Sequence, residues 1–102
     1  MDNVYHVYAL RSEKDGRVYV GFSHNVEKRL LQHNAGKTRS TKGYRPWVLI
    51  FYEEVRGRAE ARNREKYYKT GIGKEFLKSL DIKDGPVIQR IEYLPAAGRD
   101  VS

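Results

Sequence analysis

Three polar side chains fall where a helix packed on a core would carry apolar ones. If residues 26–34 are helical, Val26, Arg29, Leu30 and His33 share one side, which places a guanidinium and an imidazole one turn apart on an otherwise apolar stripe. If residues 58–70 form a second helix, its inward line is Ala61, Glu65 and Tyr68, with Ile72 added if the turn continues, and Glu65 breaks that line. A bare buried carboxylate is costly, so Glu65 must be paired, metal-bound or facing a cleft. Side chains of these three types bind anions, pass protons and ligate hard cations. Plainer readings stay open: Arg29 and His33 at the core edge with their heads in water, and Glu65 in an ion pair with Arg62 or Lys69.

The elements that would carry them must fit into 102 residues, enough for one domain and one modest core. The absence of cysteine removes disulfides, thiolate zinc sites and cysteine nucleophiles, so any metal must be held by oxygen or imidazole. Lys and Arg number 20 against 13 Asp and Glu, a formal charge of +7 with a pI near 9.7. That excess suits a polyanionic partner, although a merely solubilising basic surface has the same composition. The first residues have neither the basic start nor the apolar run of a secretory signal, and no apolar stretch approaches membrane-spanning length, so the expected location is cytoplasmic.

Residues 4–10 are rich in β-branched and aromatic types and lead to Asp15-Gly16, a hairpin-turn dipeptide; residues 17–22 then alternate cleanly. The expected hairpin places Val18, Val20 and Phe22 on one face and Tyr19 on the other. Ser23 or Asn25 caps the helix over 26–34, and Ala35-Gly36 stops it. Residues 37–45 read as a loop in which Lys37, Arg39, Lys42 and Arg45 alternate with Thr, Ser, Gly and Tyr. Such a loop can track a phosphate backbone, or be an ordinary solvated one. Pro46 introduces the apolar run 47–52, a strand covered on both faces, and a short helix is expected over 74–80. Residues 81–102 carry a net charge of −1, leaving +8 on residues 1–80. The chain thus divides into a basic domain, 1–80, and an extension, 81–102. Within the extension Asp84-Gly85-Pro86 is a turn, 87–93 an edge strand or docked tail, and 95–102 a frayed end.

In that order the segments resemble the GIY-YIG nuclease superfamily. The two naming tripeptides stand here as His6-Val7-Tyr8 and Tyr19-Val20-Gly21 across a hairpin, followed by the Arg29/His33 helix and by Arg64-Glu65-Lys66. Ser40-Thr41-Lys42-Gly43, Arg45-Pro46-Trp47 and Phe76-Leu77 narrow the resemblance to small stand-alone bacterial members long grouped as uncharacterised proteins. It covers about residues 4–80 and implies an α+β domain, a three-stranded antiparallel sheet flanked by helices, with an active site on the sheet face bearing the tyrosines. Carried over, Tyr8, Tyr19, Arg29, His33 and Glu65 line that site.

The implied reaction is metal-dependent hydrolysis of a phosphodiester, in DNA rather than RNA, with repair or recombination as its expected setting. It needs an activated water, stabilised phosphoryl oxygens and help for the leaving alkoxide. Glu65 is the implied ligand of Mg²⁺ or Mn²⁺, Arg29 the partner of the non-bridging oxygens, and Tyr8 the group that orients or deprotonates water, with Tyr19 and His33 in support. A phenol of ordinary pKa is a poor base at neutral pH, so a cation must lower it or its proton must leave through a relay. Two departures from the family pattern stand out: His6 where the name has Gly, and no Asn after Glu65. Beside the endonuclease stand a catalytically silent nucleic-acid-binding module, with Tyr44 or Trp47 stacking on bases, and a protein-interaction domain meeting an acidic partner. No membrane is involved, and targeting leaves room for a protein partner or a homodimer.

Overall fold

The computed structural model describes residues 3–80 and 87–89. Alternation and turn chemistry make the first hairpin: β1 (Val4–Ser12) pairs antiparallel with β2 (Val18–Ser23). The Asp15-Gly16 turn is closed by the Ser12 hydroxyl, which accepts from the amides of Lys14 and Asp15 at 3.0 and 3.2 Å, and Gly16 takes the left-handed φ of 81° that a side chain resists. Helix α1 (Val26–Asn34) matches the expected bounds, with the Asn25 side chain accepting from the Lys28 amide. The basic loop holds a single helical turn that sequence periodicity does not show, α2 (Arg39–Lys42). The strand expected over 47–52 continues as β3 (Trp47–Arg56), and α3 (Arg58–Tyr68) and α4 (Gly71–Lys78) follow. Because α3 ends before Gly71, Ile72 does not extend its inward line and lies 73% exposed.

The sheet order is β2-β1-β3, all antiparallel, with a short β4 (Val87–Gln89) added parallel to β3. Residues 87–89, within the span read as an edge strand or docked tail, form β4 beside β3; residues 81–86, with the expected 84–86 turn, and the chain from residue 90 lie outside the described residues. The sheet parts two cores. Val7, Ala9, Val18, Val20, Ile50, Phe51 and Val55 pack with Ala61 and Tyr68 of α3 and Leu77 of α4. On the other face Tyr8, Leu10 and Trp47 pack with Val26 of α1, flanked by Tyr19, Leu30, Leu49 and Tyr52.

A register shift opposite Ala9 and Leu10 fixes which β3 residues face which core: Ala9 pairs with Phe51, but Leu10 pairs with Leu49, so Ile50 is an extra residue. Such a bulge resets the alternation. Trp47, Leu49 and Tyr52 therefore share the tyrosine face, while both Ile50 and Phe51 face α3 and α4. The shift also sends Glu53 to the α3 side, where its fully buried carboxylate meets Arg64 through Nε at 2.5 Å and Nη2 at 3.0 Å and accepts from the Tyr68 hydroxyl at 2.6 Å. Both carboxylate oxygens are thus engaged, as a buried carboxylate requires. The triad raises the pKa of Arg64, whose charge Glu53 stabilises; that of Tyr68 rises through burial first and then Glu53.

Candidate active site

Each strand of the hairpin delivers one tyrosine to the face under α1. Tyr8 and Tyr19 lie with ring centroids 6.3 Å apart, and His33 of α1 reaches down with its ring 4.8 Å from Tyr19 and 6.2 Å from Tyr8. Gly21 makes room for them. It is the cross-strand partner of Tyr8, and a Cβ there would lie 2.8 Å from the Tyr8 hydroxyl oxygen. A glycine inside a strand marks such close approach.

His33 is fully buried, and both its ring nitrogens are engaged: Nε2 is 3.1 Å from the Tyr8 hydroxyl and Nδ1 is 2.8 Å from the Thr41 hydroxyl. Thr41 directs its own proton to the Thr38 carbonyl at 3.3 Å. Its oxygen therefore accepts from Nδ1–H, which leaves Nε2 bare to accept from the Tyr8 O–H. Thr41 is itself held, because the Trp47 indole donates to its carbonyl at 2.9 Å and Asn34 clamps the Trp47 backbone through both amide atoms. These bonds explain why Trp47 is 3% exposed; it is structural, and the expectation that its ring stacks on bases is corrected. Tyr44 lies under the Arg17 guanidinium at 3.6 Å.

Arg29 packs half-buried beside this chain and bonds Gln32 Oε1 at 2.6 Å. Burial pushes the Tyr8 phenol up to about 12, against the pull of the Arg29 guanidinium. His33 falls to about 4, through burial first and the Arg29 charge second. At neutral pH the resting pair is a neutral phenol donating to a neutral imidazole. The consequence for stability has a definite sign: His33 titrates near 6.5 when unfolded and near 4 when folded, so between those values the unfolded chain holds more protons and stability drops as pH falls. Burial lowers His6 in the same direction. The thermal midpoint is expected to decline from about pH 6.5 toward about pH 4, and His33→Gln to make that decline shallower. An equally steep decline in the variant would place the titration in other groups.

Glu65 is positioned differently. Its helix α3 covers the opposite face, anchored by Ala61 and Tyr68, and also borders the edge strand β2. The carboxylate is 19% exposed and pairs with Lys69 at 3.0 Å, one turn along the helix. Packing and hydrogen bonds thus join Tyr8, Tyr19, Arg29 and His33 into one cluster, while Glu65 stands on another element, with the edge of β2 between. Arg64, the neighbouring residue, takes the inward position. Of the basic residues, Lys37, Arg39, Lys42 and Arg45 are all exposed. Lys42, Arg45 and Lys14, the last contributed by the hairpin turn, border a hollow of about 490 Å³. Sequence reasoning missed Lys14, Thr41 and the Glu53 triad; Gly21 carried a readable signal, as a glycine interrupting an alternating strand.

This arrangement of hairpin tyrosines beneath an arginine- and histidine-bearing helix has a family to match: residues 4–75 fit the model of the GIY-YIG catalytic domain, and the chain belongs to that family, whose fold is of nuclease type. Among its members the similarity runs to UPF0213 proteins. That of Nitratidesulfovibrio vulgaris Hildenborough is 42% identical over 100 residues, 97% of this chain and 77% of the relative. That of Staphylococcus haemolyticus is 38% identical over 78 residues, 76% of this chain and 94% of the relative. That of Bacillus licheniformis is 36% identical over 97 residues, 94% of this chain and 97% of the relative. Among the described residues no helix is long and apolar enough to cross a membrane.

Proposed function

We propose that this protein is a metal-dependent endonuclease acting on DNA, and the observation that carries the reading is the Tyr8–His33–Thr41 hydrogen-bond chain beside Arg29. Of the two routes, the hydrogen bond from the Tyr8 hydroxyl to His33 Nε2 favours the relay. Water attacking the phosphorus gives its proton to the Tyr8 oxygen as the Tyr8 proton moves to His33 Nε2, and His33 keeps its Nδ1–H on Thr41 throughout. Arg29 places its charge on the phosphoryl oxygens, and Tyr19 shields and orients the water.

Glu65 is the residue to hold a divalent cation. A hard ion can be held by one carboxylate and otherwise by water and phosphate. The half-buried setting of the Glu65 carboxylate fits it too. Held there by Glu65, such an ion would supply Lewis-acid chemistry for the phosphate and the leaving oxygen. The pairing of Glu65 with Lys69 favours the second reading, a silent nucleic-acid-binding module.

The deciding experiment is a cleavage screen over duplex, branched and single-stranded DNA and RNA with Mg²⁺, Mn²⁺ or EDTA. Cutting that needs metal supports the enzyme; binding without cutting supports the module. Glu65→Gln is expected to leave the fold intact, weaken Mn²⁺ binding and remove the metal response of the rate. A variant that cuts as the parent does clears Glu65 of the role.

The basic loop serves positioning. Neutralising Lys42 and Arg45 together is expected to weaken binding alike across sequences and to reduce the slope of log affinity against log salt by about one unit for each phosphate no longer held. The single-turnover rate with saturating enzyme should largely survive. An unchanged salt slope would take the loop off the binding surface.

A further inference from the structure

Beside the tyrosine cluster, on the same sheet face but toward β3 and the first turn of α1, lies a second cleft of about 450 Å³ bordered by His6, His24, Val26, Glu27, Leu49 and Tyr52. Its size falls in the range of small-molecule sites, roughly 300–1,000 Å³. His6 Nδ1 is the one buried side-chain polar atom without a partner among the described residues, and such atoms are rare because leaving them unpaired is costly. The His6 ring stands edge-on to Tyr52 with centroids 5.5 Å apart, and Leu49 and Val26 supply apolar surface. Among the described residues no lysine or arginine borders the cleft, and Glu27 does.

These features select a ligand class. The border offers two imidazoles, one carboxylate and apolar surface, with no lysine or arginine among the described residues to fix a phosphate. A flat heteroaromatic ring suits the aromatic and apolar walls, its polar edge suits the imidazole border of His6 and His24, and an exocyclic amino group suits Glu27. Tyr52 is also the direct cross-strand partner of Tyr8, so the cleft begins about 5 Å from the catalytic tyrosine, measured between strand backbones. We propose that this cleft receives an unstacked nucleobase carrying an exocyclic amino group, next to the phosphate held by Arg29. The assignment rests on the nucleic-acid reading above for its setting in a strand, but the cleft can be tested without any cleavage.

The test uses the full chain in EDTA. In ¹H–¹⁵N spectra adenosine and cytidine are expected to shift the Val26, Leu49 and Tyr52 amides more than uridine does, and His6→Ala to diminish the shifts. Leu49→Trp, which fills the cleft, should abolish them while the remaining spectrum stays folded. In single-stranded oligonucleotides scanned with one abasic position, anisotropy should show a loss of affinity of about tenfold at one position, and Leu49→Trp should erase that dependence. Adenosine shifts without any oligonucleotide binding would sustain the cleft as a mononucleotide site and sink the nuclease reading instead. A flat abasic scan together with unmoved amides overturns the proposal. So does phenol moving the same amides as strongly as adenosine, since the cleft would then be a plain apolar groove.

Discussion

Tyr8→Phe should lower single-turnover cleavage by about 10²–10⁴-fold, the range for loss of a proton-transfer group, while leaving DNA affinity nearly unchanged. The ring still fills the space beneath His33, and no group that would hold phosphate is lost. What disappears is the hydroxyl 3.1 Å from His33 Nε2, through which the proposed relay runs. The buried imidazole nitrogen then lacks a partner, so a stability loss of about 1–3 kcal/mol is also expected, and the rate must be read where both proteins are fully folded. A parent-like rate would remove Tyr8 from the reaction. Equal losses in affinity and rate would make it a binding group, since an interaction made only in the transition state appears in the rate alone.

Arg64→Met should destabilise the fold by about 3–5 kcal/mol, the usual cost of leaving one partner of a buried ion pair uncompensated. Glu53 has no route to solvent in this structure, being fully buried, and Tyr68 alone cannot replace two guanidinium bonds. The double variant Glu53→Gln/Arg64→Met should recover much of the loss, because the orphaned charge is gone. Denaturant unfolding of parent, both single variants and the double variant gives the coupling energy directly. If Arg64→Met unfolds at the parent's midpoint, the pair is ornamental.

How much of this is legible in the sequence depends on whether a feature is local. The hairpin and α1 can be read because alternation, Asp15-Gly16, the Asn25 cap and the Gly36 stop all act within a few residues. The grouping of Tyr8, Tyr19, Arg29 and His33 is legible only through the family resemblance, since the residues alone leave a core-edge reading open for each. The role of Thr41 cannot be read, since nothing in a run of polar loop residues shows that one hydroxyl turns inward to an imidazole. On α3 the sequence draws attention to Glu65, yet Arg64, its neighbour and about 100° around the helix, makes the buried pair. Its partner Glu53 is hidden for a related reason: a strand read by strict alternation cannot reveal that Ile50 is an extra residue and that every later side chain has changed sides.

That extra residue has a meaning for the protein's history. By moving Glu53 away from Tyr8 and His33, it gives each side of the sheet a separate evolutionary constraint. Substitutions among Tyr8, Tyr19, Arg29 and His33 leave the ion pair that ties β3 to α3 in place, because that pair belongs to the other surface. A lineage built this way can change substrate, or lose activity and persist as a binder, while natural selection keeps the scaffold above its stability threshold.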